Sequence, residues 1–230
     1  MKTIGFFVIC FVCIKEEMAI RLKCIRKRRY QKMKALKANH DTPTYSKLIK
    51  AMRAMMLQAD RFEDIRITNV SEEAHVAQGS FYNHFGTLDA ARQAVISREE
   101  AECWKKMLQY YNRIPIGTFS QKVQRLAVNL TVYINTSSSF RKIVCENAPW
   151  YGYFTETDLS GSESTQFHQD LKEYAKSAGI SQDQAMMNVH MLLTNTARYA
   201  YKALNKKIPL TLKETQTYVR KTASHLFPEK

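Results

Sequence analysis

The chain has 230 residues, is 45% hydrophobic and carries a formal net charge of +14. That length holds either one large domain or a small domain beside a larger one, and the apolar fraction is ordinary for a soluble protein. Only seven glycines and five prolines, with long stretches free of turn signals, indicate a mostly helical fold. Five cysteines, an odd number without a repeating framework, argue against a disulfide-stapled secreted protein.

The positive charge is uneven. Residues 1–43 carry eleven Lys/Arg against three acids, residues 44–90 five against six, and residues 91–230 nineteen against twelve. A basic block of this density fits a polyanionic partner, nucleic acid or an anionic membrane surface, and equally a solvated tail. Within it, Ile4 to Ile14 is an unbroken apolar run, well short of the ~20 residues a spanning helix needs. No small-residue cleavage site follows it; Lys15-Glu16-Glu17 does. The expectation is an over-extended start, with initiation at Met18 or Met33, and the competing reading is a weak membrane anchor. Cys10 and Cys13 have C-x-x-C spacing but lack the second pair that a zinc site uses. The six histidines are scattered, and neither a metal nor a cofactor is expected. Residues 1–42 are read as an apolar and basic extension with no folding pattern of its own.

From Tyr45 the helical period is clear. Tyr45, Leu48, Ile49, Met52, Met55, Met56 and Ala59 recur at three- and four-residue steps, and Thr42-Pro43-Thr44 supplies the start. A short second helix places Ile67, Val70 and Ala74 on one face, with Thr68, Glu72 and Glu73 outward. A third carries Phe81 and Phe85 inward at i, i+4, and Gln78, Ser80, Asn83 and His84 outward. Gly86-Thr87 then breaks the chain, and Leu88 opens a fourth helix. Three short helices with a tight connection between the last two have the layout of a helix-turn-helix, and a structural helical hairpin has the same spacing. Gly79, lacking a Cβ, is expected to let the third helix approach another backbone closely. The outward edge of that helix would enter a DNA major groove, Asn or Gln reading adenine and Ser or Tyr bonding phosphate.

The run Ile67-Thr-Asn-Val-Ser-Glu-Glu-Ala-His-Val-Ala-Gln-Gly-Ser-Phe-Tyr-Asn-His-Phe-Gly-Thr-Leu-Asp-Ala-Ala91 resembles the DNA-binding domain of the tetracycline-repressor (TetR) family of bacterial transcription regulators. The resemblance rests on Ala74, Val76, Gly79, Ser80, Phe81, Tyr82, His84 and Phe85, and covers about Pro43 to Cys103. It implies a helix-turn-helix domain over 43–103, with the motif at about 66–85, and a helical effector-binding and dimerisation domain over 104–230. It also implies DNA contacts from Thr68, Gln78, Gly79, Ser80, Tyr82, Asn83, His84 and Thr87, over a head core of Val70, Ala74, Val76, Phe81 and Phe85. Three residues depart from the family pattern. His75 stands where glycine is usual in the turn, Ala77 replaces a capping Ser/Thr, and Leu88 replaces a lysine that typically reaches phosphate.

The remainder reads as helices throughout. Phe119, Val123, Leu126, Leu130 and Ile134 form one apolar stripe; Arg141 to Glu146 is a short helix stopped by Pro149; Phe167 to Ala178 is another. Ser181-Gln-Asp-Gln184 and Thr211-Leu-Lys-Glu214 are capping-box starts for a long helix and a final one. Val189, Leu193, Thr196, Ala197 and Ala200 are the candidate dimer interface, with intramolecular core as the alternative. Trp104, Tyr111, Tyr133, Trp150, Phe167 and Tyr174 are the candidate effector-pocket residues, although such aromatics more often form core. With no acid pair, Ser-His-Asp order or phosphate loop, an enzyme is not expected. The expected function is a cytoplasmic, homodimeric, DNA-binding transcriptional regulator, a repressor released by an apolar or aromatic effector. The alternative is a membrane-tethered helical interaction protein using the N-terminal run.

Overall fold

The computed structural model describes residues 42–147 and 164–229, and every regular element within them is helical, as the sequence indicates. A head of three helices comes first: α1 (Pro43–Gln58), α2 (Ile67–Glu73) and α3 (Gln78–Phe85), with a 3-10 turn, Phe62–Asp64, before α2. The body follows with α4 (Leu88–Asn112), α5 (Phe119–Thr136), α6 (Ser138–Phe140), α7 (Thr165–Ala178), α8 (Gln182–Leu204) and α9 (Leu212–Leu226). A π-helical turn, Arg141–Cys145, continues directly from α6. The N-terminal extension, with its basic stretch, lies outside the described residues, as does Trp150. No helix among the described residues is long and apolar enough to cross a membrane.

The helices begin where side chains satisfy their first N–H groups. The Thr42 hydroxyl accepts from the Tyr45 N–H at 3.2 Å, and Thr87 does the same for Ala90 at 3.1 Å. Thr118 caps α5 and Ser181 caps α8. Thr211 and Glu214 form the full reciprocal box at the start of α9. At α8 the reciprocal contact expected of Gln184 gives way to a bond from its amide to Asn188, at 3.2 Å.

α4 joins head to body. Its first turns bury Ala91, Val95 and Ile96 and its last turns Trp104, Met107, Leu108 and Tyr111, and it packs on α1 and α3 at one end and on α5 and α7 towards the other. The division expected at 103/104 therefore falls inside a continuous helix, and the two parts share one rod. In the body, α5 and α8 lie against each other, α9 packs on both, and α7 closes over α8.

This packing corrects the reading of α8. Val189, Leu193, Thr196, Ala197 and Ala200 are all buried within the single chain. A side chain with no exposed surface in its own chain has none left to bury against a second copy. The small residues serve the close approach of α5, where Ala127 is also buried, and the Thr196 hydroxyl is satisfied by donating to the Leu192 carbonyl at 2.7 Å. What α8 leaves open is its other side, where Met187 and Met191 are exposed. Tyr218 of α9 is 49% exposed and stands beside Tyr199 of α8, ring centroids 5.5 Å apart.

Candidate nucleic-acid interface

The turn between α2 and α3 is built on an uncommon backbone conformation. α2 ends at Ala74, and His75 follows with φ of 53°. The His75 N–H bonds the Glu72 carbonyl and the Val76 N–H bonds the Ser71 carbonyl, both at 3.0 Å. These two bonds are a Schellman ending, in which the residue after the cap is left-handed and usually glycine. Histidine therefore holds a left-handed conformation here, which costs a residue with a Cβ roughly 1–2 kcal/mol. Ala77 enters α3 with no side-chain cap, as its methyl requires.

α3 is held from behind by aromatic contacts. Phe81 is fully buried, its ring 5.3 Å from Phe85, and Phe85 lies 5.2 Å from Tyr45 of α1. Val70 and Ala74 are buried beneath, and Val76 packs half-buried against them. Helical spacing then puts Gln78, Gly79, Tyr82 and Asn83 together on the outer edge, all exposed, with Tyr82 at 53%. Ser80 is half-buried at the side of this edge. Thr68 is exposed near the start of α2, its hydroxyl donating to Asn69 at 3.0 Å. At Thr87 the hydroxyl accepts the Ala90 N–H and keeps its own proton for an outside acceptor.

Two assignments change. A Cβ built on Gly79 would meet nothing within 4 Å, so this glycine does not serve close packing inside the chain. It lies on the open edge, where only something approaching from outside would meet it. His84 is not simply outward. Its ring stands edge-on to Tyr45 with centroids 5.8 Å apart, and its Nδ1 is buried without a hydrogen-bond partner. Only its other nitrogen is left to make an external bond. Leu88, in place of a lysine, packs half-buried against the core and offers no charge.

Three arginines in and beside the head have acidic partners. Arg53 bonds Glu99 of α4 at 2.5 Å, Arg61 pairs with Glu63 at 3.6 Å, and Arg92 lies 4.1 Å from the Phe62 ring while pairing with Asp89. Arg66, exposed immediately before α2, has no carboxylate partner among the described residues. Sequence reasoning passed over it; the available signal was an arginine two residues before Thr68. Tyr45, packed under α3, has its hydroxyl pushed up by burial, with Arg98 opposing.

In the body, the effector-pocket candidates among the described residues belong to the hydrophobic core or pack against it. Trp104, Tyr111 and Phe167 are fully buried core, which corrects their reading as an open lining. Phe167 contacts Tyr111 at 5.3 Å and Phe119 at 6.0 Å, and Phe119 in turn meets Tyr174 at 5.1 Å and Phe227 at 5.7 Å. Tyr133 lies apart, against Phe140 at 5.4 Å. The aromatic cluster ends in a polar knot. The Tyr111 hydroxyl and the Lys122 ammonium both donate to Asp170 at 2.7 Å, and Gln166 donates to its other oxygen at 2.6 Å. Desolvation alone would raise the Asp170 carboxyl, but the bonds from Lys122, Tyr111 and Gln166 hold it below its ordinary value. An open groove of about 540 Å³ lies elsewhere, along Lys206 to Thr211 at the α8–α9 connection.

A short polar-edged helix, backed by aromatics and entered through a tight turn, on a larger helical body defines a helix-turn-helix protein. No family model and no curated protein sequence matches the chain. Solved structures do. A TetR transcriptional regulator from Rhodococcus sp. RHA1 is 12% identical with a TM-score of 0.52, over 81% of this chain and 96% of that one. The fatty acid degradation regulator FadR from Bacillus halodurans is 11% identical with a TM-score of 0.47, over 82% and 96%. The chain has the TetR-type fold.

Proposed function

We propose that the chain is a sequence-specific DNA-binding transcriptional regulator, acting as a homodimeric repressor in the cytoplasm. The observation that carries this reading is the outer edge of α3. Gln78 and Asn83 expose amides able to pair bidentately with adenine, and Tyr82, Ser80 and Thr87 offer hydroxyls to phosphate. Gly79 leaves room between them for a sugar-phosphate backbone, His84 offers its one open nitrogen, and Thr68 and Arg66 add contacts from the preceding helix. Selection of bound sites from random duplex DNA by the full chain tests it: an enriched palindromic motif is expected, and no enrichment over input refutes the reading.

A single head has few base contacts, and paired half-sites are the usual remedy. The supporting surface for a second copy is the open side of α8 and α9, with Met187, Met191, Tyr199 and Tyr218. Met191→Asp should leave helix content unchanged and shift the sedimentation coefficient to that of a monomer.

The effector we propose is a small apolar or aromatic compound. It would enter at the polar end of the aromatic cluster, replacing ring contacts around Tyr111 and Phe167 and using Lys122 or Asp170 as a handle. Binding there would favour a conformer whose two heads no longer match the half-site spacing. Screening aromatic compounds for loss of binding to the selected duplex tests this, with the fluorescence of the two tryptophans as a second signal.

A further inference from the structure

Duplex DNA carries one negative charge per about 1.7 Å of its axis, yet the head brings almost no positive charge to meet it. Residues 44–90 hold five Lys/Arg against six acids. The outer edge of α3, with Gln78, Gly79, Tyr82 and Asn83, is uncharged, and Glu72 and Glu73 stand exposed at the end of α2, just before the turn. Amides and hydroxyls fix register on DNA, but long-range attraction and salt-dependent affinity come from Lys and Arg. A head of this composition needs cations from elsewhere in the chain.

The densest source is the segment before α1. Residues 21–37 hold nine Lys/Arg and no acid, with Arg26-Lys-Arg-Arg29 at the centre, whereas the nineteen Lys/Arg of residues 91–230 are offset by twelve acids. The structure fixes where that segment joins the head. The Thr42 hydroxyl accepts the Tyr45 N–H at the start of α1, and the Tyr45 ring packs on His84 and Phe85 at the end of α3, centroids 5.8 and 5.2 Å away. Thr42 is exposed, and so are Gly86 and Thr87 immediately beyond α3. The chain therefore enters the head beside the end of its open edge. Lys37 precedes Thr42 by five residues and Arg29 by thirteen, which lets them reach at most about 18 and 45 Å from it at roughly 3.5 Å per residue. One turn of duplex is about 34 Å, so the block reaches phosphates on both sides of a half-site under α3.

We propose that residues 21–37 grip the sugar-phosphate backbone flanking the half-site, supplying the charge that the head lacks and reading no sequence. The inference rests on the reading of the chain as a DNA-binding regulator and deepens it by dividing affinity from specificity. DNA is favoured over an anionic membrane surface, the other polyanion that suits such a block, because the segment joins the chain at the end of α3.

Three full-length proteins test it on a duplex recovered by the selection above. They are the parent, a neutral variant combining Arg26→Gln, Lys27→Gln, Arg28→Gln and Arg29→Gln, and a charge-keeping variant combining Arg26→Lys, Arg28→Lys and Arg29→Lys. Each phosphate neutralised adds about 0.9 to the slope of log affinity against log salt. The neutral variant should therefore lose about 3–4 from that slope and bind at least tenfold more weakly at low salt, with the parent's preferred sequence and melting temperature. The charge-keeping variant should retain the parent's slope. Trimming the duplex to the bare motif should weaken the parent at least several-fold and the neutral variant hardly at all. An unchanged slope in the neutral variant overturns the proposal, as does equal loss on trimming for parent and neutral variant. A neutral variant that binds duplex like the parent but no longer binds phosphatidylglycerol vesicles also overturns it and assigns the block to a membrane. Failure of the parent to bind any duplex is a different result and counts against the DNA-binding reading itself.

Discussion

Head and body are built from the same kind of helix yet differ in what their side chains face. In the head, the short helices α2 and α3 pack on α1 over a core of Leu48, Met52, Val70, Ala74 and Phe81 and leave one edge of α3 open. In the body, α5, α7 and α9 cover one side of α8 so completely that Val189, Leu192, Leu193, Ala197 and Ala200 have almost no exposed surface. A helix covered on one side only, like α3, keeps its other edge open, with directional groups standing on it. A helix covered by several neighbours, like α8, buries its whole apolar stripe, and what stays outward includes Met187 and Met191, with Tyr218 of α9 nearby.

The largest expected effect comes from the anchor beneath that open edge. Phe81→Ala should cost about 3–5 kcal/mol by leaving a cavity under α3. Because Trp104 is buried in the body, far-UV circular dichroism should begin to fall at a lower temperature than tryptophan fluorescence changes. Coincident transitions would show that α4 makes head and body one cooperative unit and would erase the energetic side of the comparison.

Next is the edge itself. Asn83→Ala or Gln78→Ala should cost about 1–3 kcal/mol on the selected duplex and little on random DNA. Tyr82→Phe removes one hydroxyl and should weaken both by a similar factor. The reverse pattern, Tyr82→Phe changing preference while Asn83→Ala weakens every duplex alike, would mean that α3 presents a different edge to the groove.

The same contrast explains what was legible in the sequence. The head was readable because its motif is local: an i, i+4 pair of phenylalanines, a turn of fixed length and two glycines fix which side of an eight-residue helix faces out. The departures at His75 and Ala77 were legible as single residues, and the structure turns them into a left-handed backbone and an uncapped helix start. The helix starts at Thr42, Ser181 and Thr211 were readable for the same reason. The α8 stripe was read correctly as apolar, but periodicity does not say which neighbour covers it, and a helix earlier in the same chain is as good as one in another chain. The aromatics of the body failed in the same way, since Trp104 and Phe167 look alike in sequence whether they line a space or fill it. His84 was misplaced because one ring contact, with Tyr45 of a distant helix, decides its orientation. The π-turn had no signal at all, because one surplus residue does not disturb a short apolar run.

A smaller effect tests the strained turn. His75→Gly removes the left-handed penalty, roughly 1–2 kcal/mol, less what glycine's freedom in the unfolded chain takes back. A net gain of about 1 kcal/mol is expected by denaturant titration, with duplex affinity unchanged. A loss of affinity without loss of stability would mean that His75 contacts DNA and that the open edge extends into the turn.

The smallest change in stability separates folding from function most sharply. Gly79 has helical backbone and open space where a Cβ would be, so Gly79→Ala should not disturb any contact within the chain. Alanine favours the helix over glycine by up to about 1 kcal/mol, and near the first turn of α3 the gain should be some fraction of that. If glycine stands here for the fold, the substitution costs stability and the exposed-edge account is wrong. If it stands here to admit a phosphate backbone, the added methyl occupies the space that backbone needs. The protein should then melt slightly higher and bind both selected and random duplexes less tightly. Equal or better binding by Gly79→Ala would place the DNA against some other part of α3, leaving Gln78 and Asn83 without their assigned roles.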